Sequence, residues 1–123
     1  MRYIITIDQR TSSSKALLFD DKLNLIDYKI IPHKINHPKE DWVEANADEI
    51  YENTVAAVKM LNLPKESDAT FSVSMVNQRE TVVVWDKNTG KPVYPAIMWQ
   101  CRRGAAFCQE LIDKGYETTI KER

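Results

Sequence analysis

The first third of the chain alternates short apolar runs with polar turns. Residues 2–8, 14–20 and 23–31 are rich in apolar, β-branched and aromatic side chains, and this pattern predicts three strands. The polar stretches between these runs are too short for a parallel crossover, which needs about a dozen residues or more. We therefore expect the chain to begin with a three-stranded antiparallel meander.

The apolar spacing changes to a helical period after the meander. Asn46, followed three residues later by Glu49, resembles a capping box, and Pro64 ends the pattern. The sequence thus predicts a helix over residues 47–61. Its apolar positions at near-helical spacing are Ile50, Val55, Val58 and Leu61.

Two further apolar runs and a second helical pattern complete the chain. Residues 70–76 predict a strand that can lie parallel in the same sheet, because a helix connects it to the meander. Residues 81–85 predict another strand, and residues 102–114 a final amphipathic helix that ends at Gly115. The order β-β-β-α-β, with Asp8 ending the first strand, is typical of the start of the ribonuclease H-like fold of actin-like ATPases. The predicted fold class is therefore α/β, the N-terminal portion of that fold.

The composition is that of one soluble globular domain. The 123 residues are 43% hydrophobic and 28% charged, which is ordinary for such a domain. A net charge of -1 gives no electrostatic attraction for nucleic acid or an anionic membrane. No apolar run approaches the roughly 20 residues that span a bilayer, and the first residues show no signal-peptide pattern.

The two cysteines, Cys101 and Cys108, lie near the start of the last predicted helix. Their spacing separates them by roughly 10 Å along a helix axis, whereas a disulfide needs Cα atoms within about 7 Å. We expect two free thiols, which are typical of the reducing cytoplasm.

A run of hydroxyl-bearing residues, Thr11–Ser14, follows Asp8 and precedes Lys15. We call this run the hydroxyl loop. Ser, Thr and Asp are common in ordinary turns, but a hydroxyl-rich turn also offers donors for phosphate oxygens. The residues alone leave both interpretations open.

Four polar residues, Asn77–Glu80, lie between two apolar runs, and we call them the polyol segment. Arg79 offers a five-donor fork beside the acceptor Glu80, so the two side chains can bind vicinal hydroxyls. A surface ion pair at a strand end is the alternative. Trp99 can form the apolar wall of a small polyol pocket, or it can pack in the core at a helix entry. The adjacent Arg102 and Arg103 are interpreted as a solvated pair of charges.

Several other residues favour structural roles. His33 and His37 lie outside any predicted helix, so they do not share a face and their spacing gives little support to a metal site. Trp42 is expected to pack against the sheet. The remaining core fillers are expected to be Met60, Met75 and Met98.

Four segments in order, "DQRTSSSK", "DWVE", "NQRET" and "TGKPVYPAIMWQCRR", are similar to the N-terminal part of the FGGY family of carbohydrate kinases. The similarity runs from Tyr3 to the end of the chain. "NQRET" and "WQCRR" are typical of the glycerol kinase branch, whereas the hydroxyl loop occurs across the family.

The resemblance implies phosphoryl transfer from ATP to glycerol, giving sn-glycerol 3-phosphate and ADP. It implies that Asp8 lies near the Mg²⁺ of Mg-ATP, through water. It also implies glycerol and ATP as small-molecule partners and a homo-oligomer. The implied site residues are Asp8, Thr11, Ser12, Ser13 and Lys15 for the nucleotide phosphates, and Arg79, Glu80 and Trp99 for glycerol.

Two features depart from the family pattern. Arg10 stands in the loop where the family usually has a small residue. The family is also a much longer, two-domain kinase, so residues 1–123 are expected to form the N-terminal part of the first domain, without the second. The family's aspartate base is then expected beyond Arg123, leaving no catalytic base in this chain.

Other functions stay open at this point. One is a kinase of another small polyol or sugar in the same family. Another is a metal-dependent nuclease on the same scaffold, using Asp8 with Glu49 or Glu52. A third is a non-catalytic remnant or partner-binding module.

Overall fold

The computed structural model describes residues 1–122. The chain forms seven strands and three helices within that range. In order they are β1 (Arg2–Gln9), β2 (Ser13–Asp20), β3 (Leu25–Pro32), β4 (Ile35–Asn36), β5 (Glu44–Ala45), α1 (Ala47–Lys59), β6 (Thr70–Asn77), β7 (Ala96–Ile97), α2 (Ala105–Asp113) and α3 (Glu117–Lys121).

The main sheet has the strand order β3-β2-β1-β6. Strands β1 to β3 pair antiparallel, and β6 pairs parallel to β1 with Asp8 opposite Val76. The predicted meander and the parallel strand after the helix are both confirmed. This register brings the carboxyl ends of β1 and β6 to the same edge of the sheet.

Helix α1 packs on one face of the main sheet, against β2, β3 and β1. On β1 the odd-numbered Tyr3 and Ile5 are buried against this helix, which places the even-numbered residues, Asp8 among them, on the opposite face. The core members from the strands and the helix are Tyr3, Ile5, Ala16, Leu18, Ala57 and Leu61.

The start of α1 was predicted from its cap, and the cap is present. The Asn46 side chain accepts the backbone N–H of Glu49 at 3.2 Å. In a complete capping box the Glu49 side chain would accept the N–H of Asn46. Here the Glu49 carboxylate accepts the N–H of Lys34 instead. The helix ends at Lys59, two residues before the predicted end, although Leu61 is buried as expected.

A second, three-stranded sheet was not predicted. Its order is β4-β5-β7, and its core consists of Val43, Ala45, Ala96 and Met98. The predicted strand over residues 81–85 is wrong, because only isolated bridges form there, between Val82 and Ile97 and between Trp85 and Pro92.

The C-terminal helix is shorter than predicted. It starts at Ala105, three residues late, and Gly115 follows its end with a φ of +83°, as expected for a residue after a helix. The chain then forms α3, which no sequence pattern indicated. Cys101 precedes α2 and Cys108 lies within it, so they do not share one helix face; both are free thiols as predicted.

The methionine predictions are only partly right. Met98 is 1% exposed and fills the second core, but Met60 and Met75 are 55% and 64% exposed. None of the helices within residues 1–122 is long and apolar enough to cross a membrane.

Candidate active site

The hydroxyl loop and the polyol segment are neighbours at one edge of the sheet. Gln9 and Asn77 are parallel partners at the ends of β1 and β6, so the segments after these strands run side by side. The carboxyl ends of parallel strands are where open α/β sheets usually bind ligands. Residues 68 positions apart in sequence therefore meet in one place.

The hydroxyl loop lies in a tight turn. The N–H of Arg10 donates to the carbonyl of Ser13 at 2.8 Å and closes the turn. Within residues 1–122 the N–H groups of Thr11 and Ser12 have no backbone partner. Two free N–H groups beside three hydroxyls can donate to an anion, which is the arrangement that binds phosphate.

Three charged groups surround the loop. Asp8 and Lys15 are opposite each other in the β1–β2 pair, so both side chains lie on the face away from α1. The Nε of Arg10 donates to Oδ2 of Asp8 at 2.7 Å. The unusual arginine of the loop thus folds back onto the acid at the end of β1.

Trp99 connects the loop to the rest of the site. Its indole N–H donates to Oγ1 of Thr11 at 2.8 Å, although the two residues are 88 positions apart. Its backbone N–H donates to Oγ1 of Thr81 at 3.2 Å. Trp99 is 55% exposed, so it lines a surface site and is not a core tryptophan.

The polyol segment bonds to the same cluster through Gln78. The Thr81 hydroxyl donates to Oε1 of Gln78 at 2.9 Å, and Nε2 of Gln78 donates to the carbonyl of Arg10 at 3.4 Å. Sequence reasoning did not assign a role to Gln78 or Thr81. The quoted motif "NQRET" includes both residues and was the available signal.

Arg79 and Glu80 are exposed at the end of this segment. Within the described part of the chain they form no ion pair with each other or with another side chain, which removes the surface ion-pair interpretation. Glu80 has a left-handed backbone with a φ of 61°. That conformation costs a non-glycine residue about 1–2 kcal/mol, and such strain is concentrated at functional sites.

Arg103 contradicts the prediction of a solvated pair. Its side chain is only 18% exposed, and its Nη2 donates to Oε1 of Glu44 at 2.7 Å. The Tyr94 hydroxyl donates to the same oxygen at 3.0 Å. Hydrogen bonds from Arg103 and Tyr94 lower the pKa of the Glu44 carboxyl, against the opposite effect of burial.

The Trp42 ring makes cation–π contacts with two basic side chains. The Arg103 guanidinium lies 3.9 Å from the centre of the Trp42 ring, and the Lys39 ammonium lies 4.3 Å from it. The Arg103 contact joins "DWVE" to "WQCRR", two of the four quoted segments.

The carboxylates of the nuclease alternative do not meet. Asp8 lies on the sheet face away from α1, whereas Glu49 and Glu52 belong to that helix. No group of three or more His, Cys, Asp and Glu side chains that could bind a metal ion occurs among residues 1–122. This geometry gives no support to a two-metal site or to a histidine metal site.

Comparison with known proteins agrees with the geometry of this edge. Residues 3–123 match the N-terminal domain of the FGGY family of carbohydrate kinases. The chain belongs to this family. It is 43% identical to glycerol kinase 2 of Thermotoga maritima over 127 residues, which cover 100% of this chain and 25% of that protein. It is also 43% identical to the glycerol kinase of Brachyspira hyodysenteriae, over 98% of this chain and 25% of that protein.

Solved structures of FGGY kinases share the fold. The crystal structure of Plasmodium falciparum glycerol kinase with ADP matches with a TM-score of 0.81 and 34% identity, over 90% of this chain and 23% of that chain. A ligand-bound xylulose kinase from Lactobacillus acidophilus matches with a TM-score of 0.81 at 15% identity, over 100% of this chain and 25% of that chain. The predicted ribonuclease H-like α/β class is confirmed. The chain spans about a quarter of the length of the curated relatives it matches.

Proposed function

We propose that this chain is the N-terminal part of the first of two domains of a glycerol kinase. The reaction is transfer of the γ-phosphoryl group of Mg-ATP to glycerol, giving sn-glycerol 3-phosphate and ADP. The observation that carries the proposal is the hydrogen bond between Trp99 and Thr11, because it brings the tryptophan assigned to the glycerol pocket and the hydroxyl loop into a single site. The identity to glycerol kinases, 43% and 34%, supports the choice of substrate.

The hydroxyl loop is assigned to the nucleotide phosphates. Thr11, Ser12 and Ser13 donate N–H and O–H groups to phosphate oxygens, while Lys15 and Arg10 contribute positive charge. Asp8 fits a Mg²⁺ ion, because this ion prefers carboxylate oxygens and keeps several of its own waters. Mg²⁺ bound with ATP would supply further charge neutralisation at the phosphates.

The polyol segment is assigned to glycerol. Arg79 donates to one hydroxyl and Glu80 accepts from its neighbour, so the pair recognises vicinal hydroxyls. The Trp99 ring packs against the carbon atoms. These residues orient the acceptor hydroxyl toward the phosphates, which is the main requirement of phosphoryl transfer.

The remaining parts of the enzyme belong to the same proposal. The general base and the second wall of the cleft are assigned to a later segment, outside residues 1–123. The free thiols Cys101 and Cys108 support a cytoplasmic location.

A chimera tests the assignment of the glycerol site. Residues 1–122 replace the matching N-terminal segment of Thermotoga maritima glycerol kinase 2, which aligns with the whole of this chain. Arg79→Ala and Glu80→Ala should each raise the glycerol KM about fivefold or more, because a lost hydrogen bond to substrate costs about 1 kcal/mol or more. The ATP KM should stay within about twofold.

Matched controls separate the site from general damage. Arg2→Ala and Glu40→Ala remove the same charges from exposed positions that are not assigned to the site, and they should leave both KM values unchanged. An unchanged glycerol KM in Glu80→Ala refutes the assignment. A higher kcat/KM for another polyol or sugar than for glycerol would identify a different kinase of the family, and a folded but inactive chimera would favour a non-catalytic remnant.

A further inference from the structure

A buried chain of hydrogen bonds lies behind the hydroxyl loop, on the α1 side of the sheet. Ser14 is fully buried, and its Oγ lies 3.1 Å from Nε2 of His33 and 2.6 Å from Oγ1 of Thr54. The Thr54 hydroxyl donates to the carbonyl of Ile50 at 2.8 Å. Nδ2 of Asn53 lies 3.2 Å from Nδ1 of His33. These hydrogen bonds therefore connect helix α1 to Ser14, near the start of β2.

Donor and acceptor capacities fix the direction of these bonds. The amide nitrogen of Asn53 can only donate, so Nδ1 of His33 accepts and its Nε2 is the protonated nitrogen. Nε2–H then donates to Ser14. Thr54 already donates to Ile50, so the Ser14 hydroxyl donates to Thr54. Every member is satisfied when the His33 ring is neutral.

His33 also bonds to the loop through its backbone. Its N–H donates to the carbonyl of Ser12 at 2.8 Å. One residue thus contacts Ser12 by its backbone and Ser14 by its ring, on the two sides of Ser13. A loop held at both of these points has little freedom to change conformation.

We propose that His33 is a positioning residue for the hydroxyl loop, which it holds, through Ser14 and α1, in the conformation that receives phosphate. The phosphate part of this statement rests on the proposed function, whereas the control of loop conformation does not. His33 touches no reacting atom and acts through Ser12 and Ser14.

The burial of the ring agrees with this role. His33 is 9% exposed, and burial lowers the pKa of its ring below the usual value. The Glu49 carboxylate of α1 acts in the opposite direction. The neutral ring that the hydrogen bonds require is therefore the form that burial favours.

Three substitutions distinguish the roles of the two ring nitrogens of His33. His33→Gln places an amide nitrogen near the position of Nε2, where it can donate to Ser14. His33→Asn reaches only the position of Nδ1, and His33→Phe fills the space without any polar atom. The matched pair of Gln and Asn changes the position of one amide group and keeps its chemistry.

The test is amide hydrogen exchange in the 123-residue chain without nucleotide. The loop reporters are the N–H groups of Arg10 and residue 33, which donate to Ser13 and Ser12. The N–H of Ile5, in the strand between β2 and β6, reports on the sheet. We expect exchange of the two loop reporters to accelerate about tenfold in His33→Asn and His33→Phe, and to stay within about threefold of wild type in His33→Gln. The Ile5 rate should stay close to wild type.

NMR of the His33 ring in the unsubstituted chain tests the proposal even when a variant does not fold. Nitrogen chemical shifts should show that His33 is protonated at Nε2 at neutral pH, with the exposed His37 as the internal reference. A proton on Nδ1, or wild-type exchange at both loop reporters in all three variants, overturns the proposal. Failure of the proposed kinase function would appear elsewhere, as unchanged KM values in the chimera, and would leave these readouts intact.

Discussion

Within residues 1–122, two residues other than glycine adopt a left-handed backbone, Leu23 with a φ of 63° and Glu80 with a φ of 61°. Leu23 lies in the turn between β2 and β3, whereas Glu80 lies in the candidate site. The cost of this conformation is the same in both places, but only Glu80 offers a side chain that can bind a polyol hydroxyl. The strain at Glu80 is therefore a candidate cost of function.

Glycine substitution at these two positions measures that cost. Leu23→Gly and Glu80→Gly should each stabilise the chain by roughly 0.5–1 kcal/mol, because relief of strain exceeds the added entropy of the unfolded chain. Urea unfolding gives the free energies. Only Glu80→Gly should also raise the glycerol KM in the chimera. Destabilisation by Glu80→Gly would mean that its backbone conformation carries no strain.

The pH dependence of stability should show two separate windows. Since the pKa of His33 is lower in the folded chain, the unfolded chain binds the proton more readily, and stability falls as the pH drops below about 6.5. Hydrogen bonds from Lys29 and from the Asn62 backbone lower the pKa of Asp27 to about 2, so its contribution is lost only between about pH 4 and pH 2.

Urea unfolding across this range tests the first window. His33→Gln should flatten the dependence between about pH 6.5 and pH 5 and leave the acid window unchanged, while the exposed His37→Gln should follow wild type. Equal slopes for wild type and His33→Gln above pH 5 would contradict the assignment.

At the scale of elements, length decided what the sequence could predict. Strands β1, β2, β3 and β6 each have eight residues, long enough for an apolar pattern to be recognised. Strands β4, β5 and β7 have two residues each, too few for any period. The pairing of these short strands depends on contacts between segments that are distant in sequence. Residues 81–85 form only isolated bridges, to Ile97 and Pro92, and their local apolar pattern could not show this.

The site was predicted by residue type but not by arrangement. The motifs named Thr11 and Trp99, yet no local pattern could show that residues 88 positions apart form a hydrogen bond. The role of Arg103 was missed for the same reason, because its partner Glu44 lies 59 residues away. His33 was considered for a metal site, whereas its ring contacts Ser14.

The cap of α1 offers a prediction at this scale. Asn46→Ala should destabilise the chain by about 1 kcal/mol, because the N–H of Glu49 loses its acceptor at the helix start. Asn46→Asp keeps an acceptor and should stay close to wild type. Thermal or urea unfolding of the pair decides, and equal stabilities for Ala and Asp would show that the cap does not contribute.

At the scale of the whole molecule, one side of the main sheet is incompletely covered. Phe71, Val73 and Met75 of β6 are exposed on the face that carries α1, beside an already buried core. Exposed apolar surface of this kind is typical of an interface. It supports the expectation of a homo-oligomer, which stays a prediction and can be checked by light scattering over a range of concentrations.

The central claim is that this chain supplies one wall of a kinase active site and needs the other wall for turnover. Transfer requires the glycerol hydroxyl in line with the γ-phosphate inside a closed cleft, and a general base adds typically 10²- to 10⁴-fold. The hydroxyl loop, Arg79, Glu80 and Trp99 are proposed to bind and position the two substrates, but no residue of this site is assigned as that base.

The most direct test is one assay of glycerol 3-phosphate formation from Mg-ATP and glycerol, run on the chain alone and on the chimera. The account predicts no detectable turnover by the chain alone and turnover by the chimera on the order of the typical ~10 s⁻¹. Comparable turnover by the chain alone, or a folded chimera without activity, would contradict it.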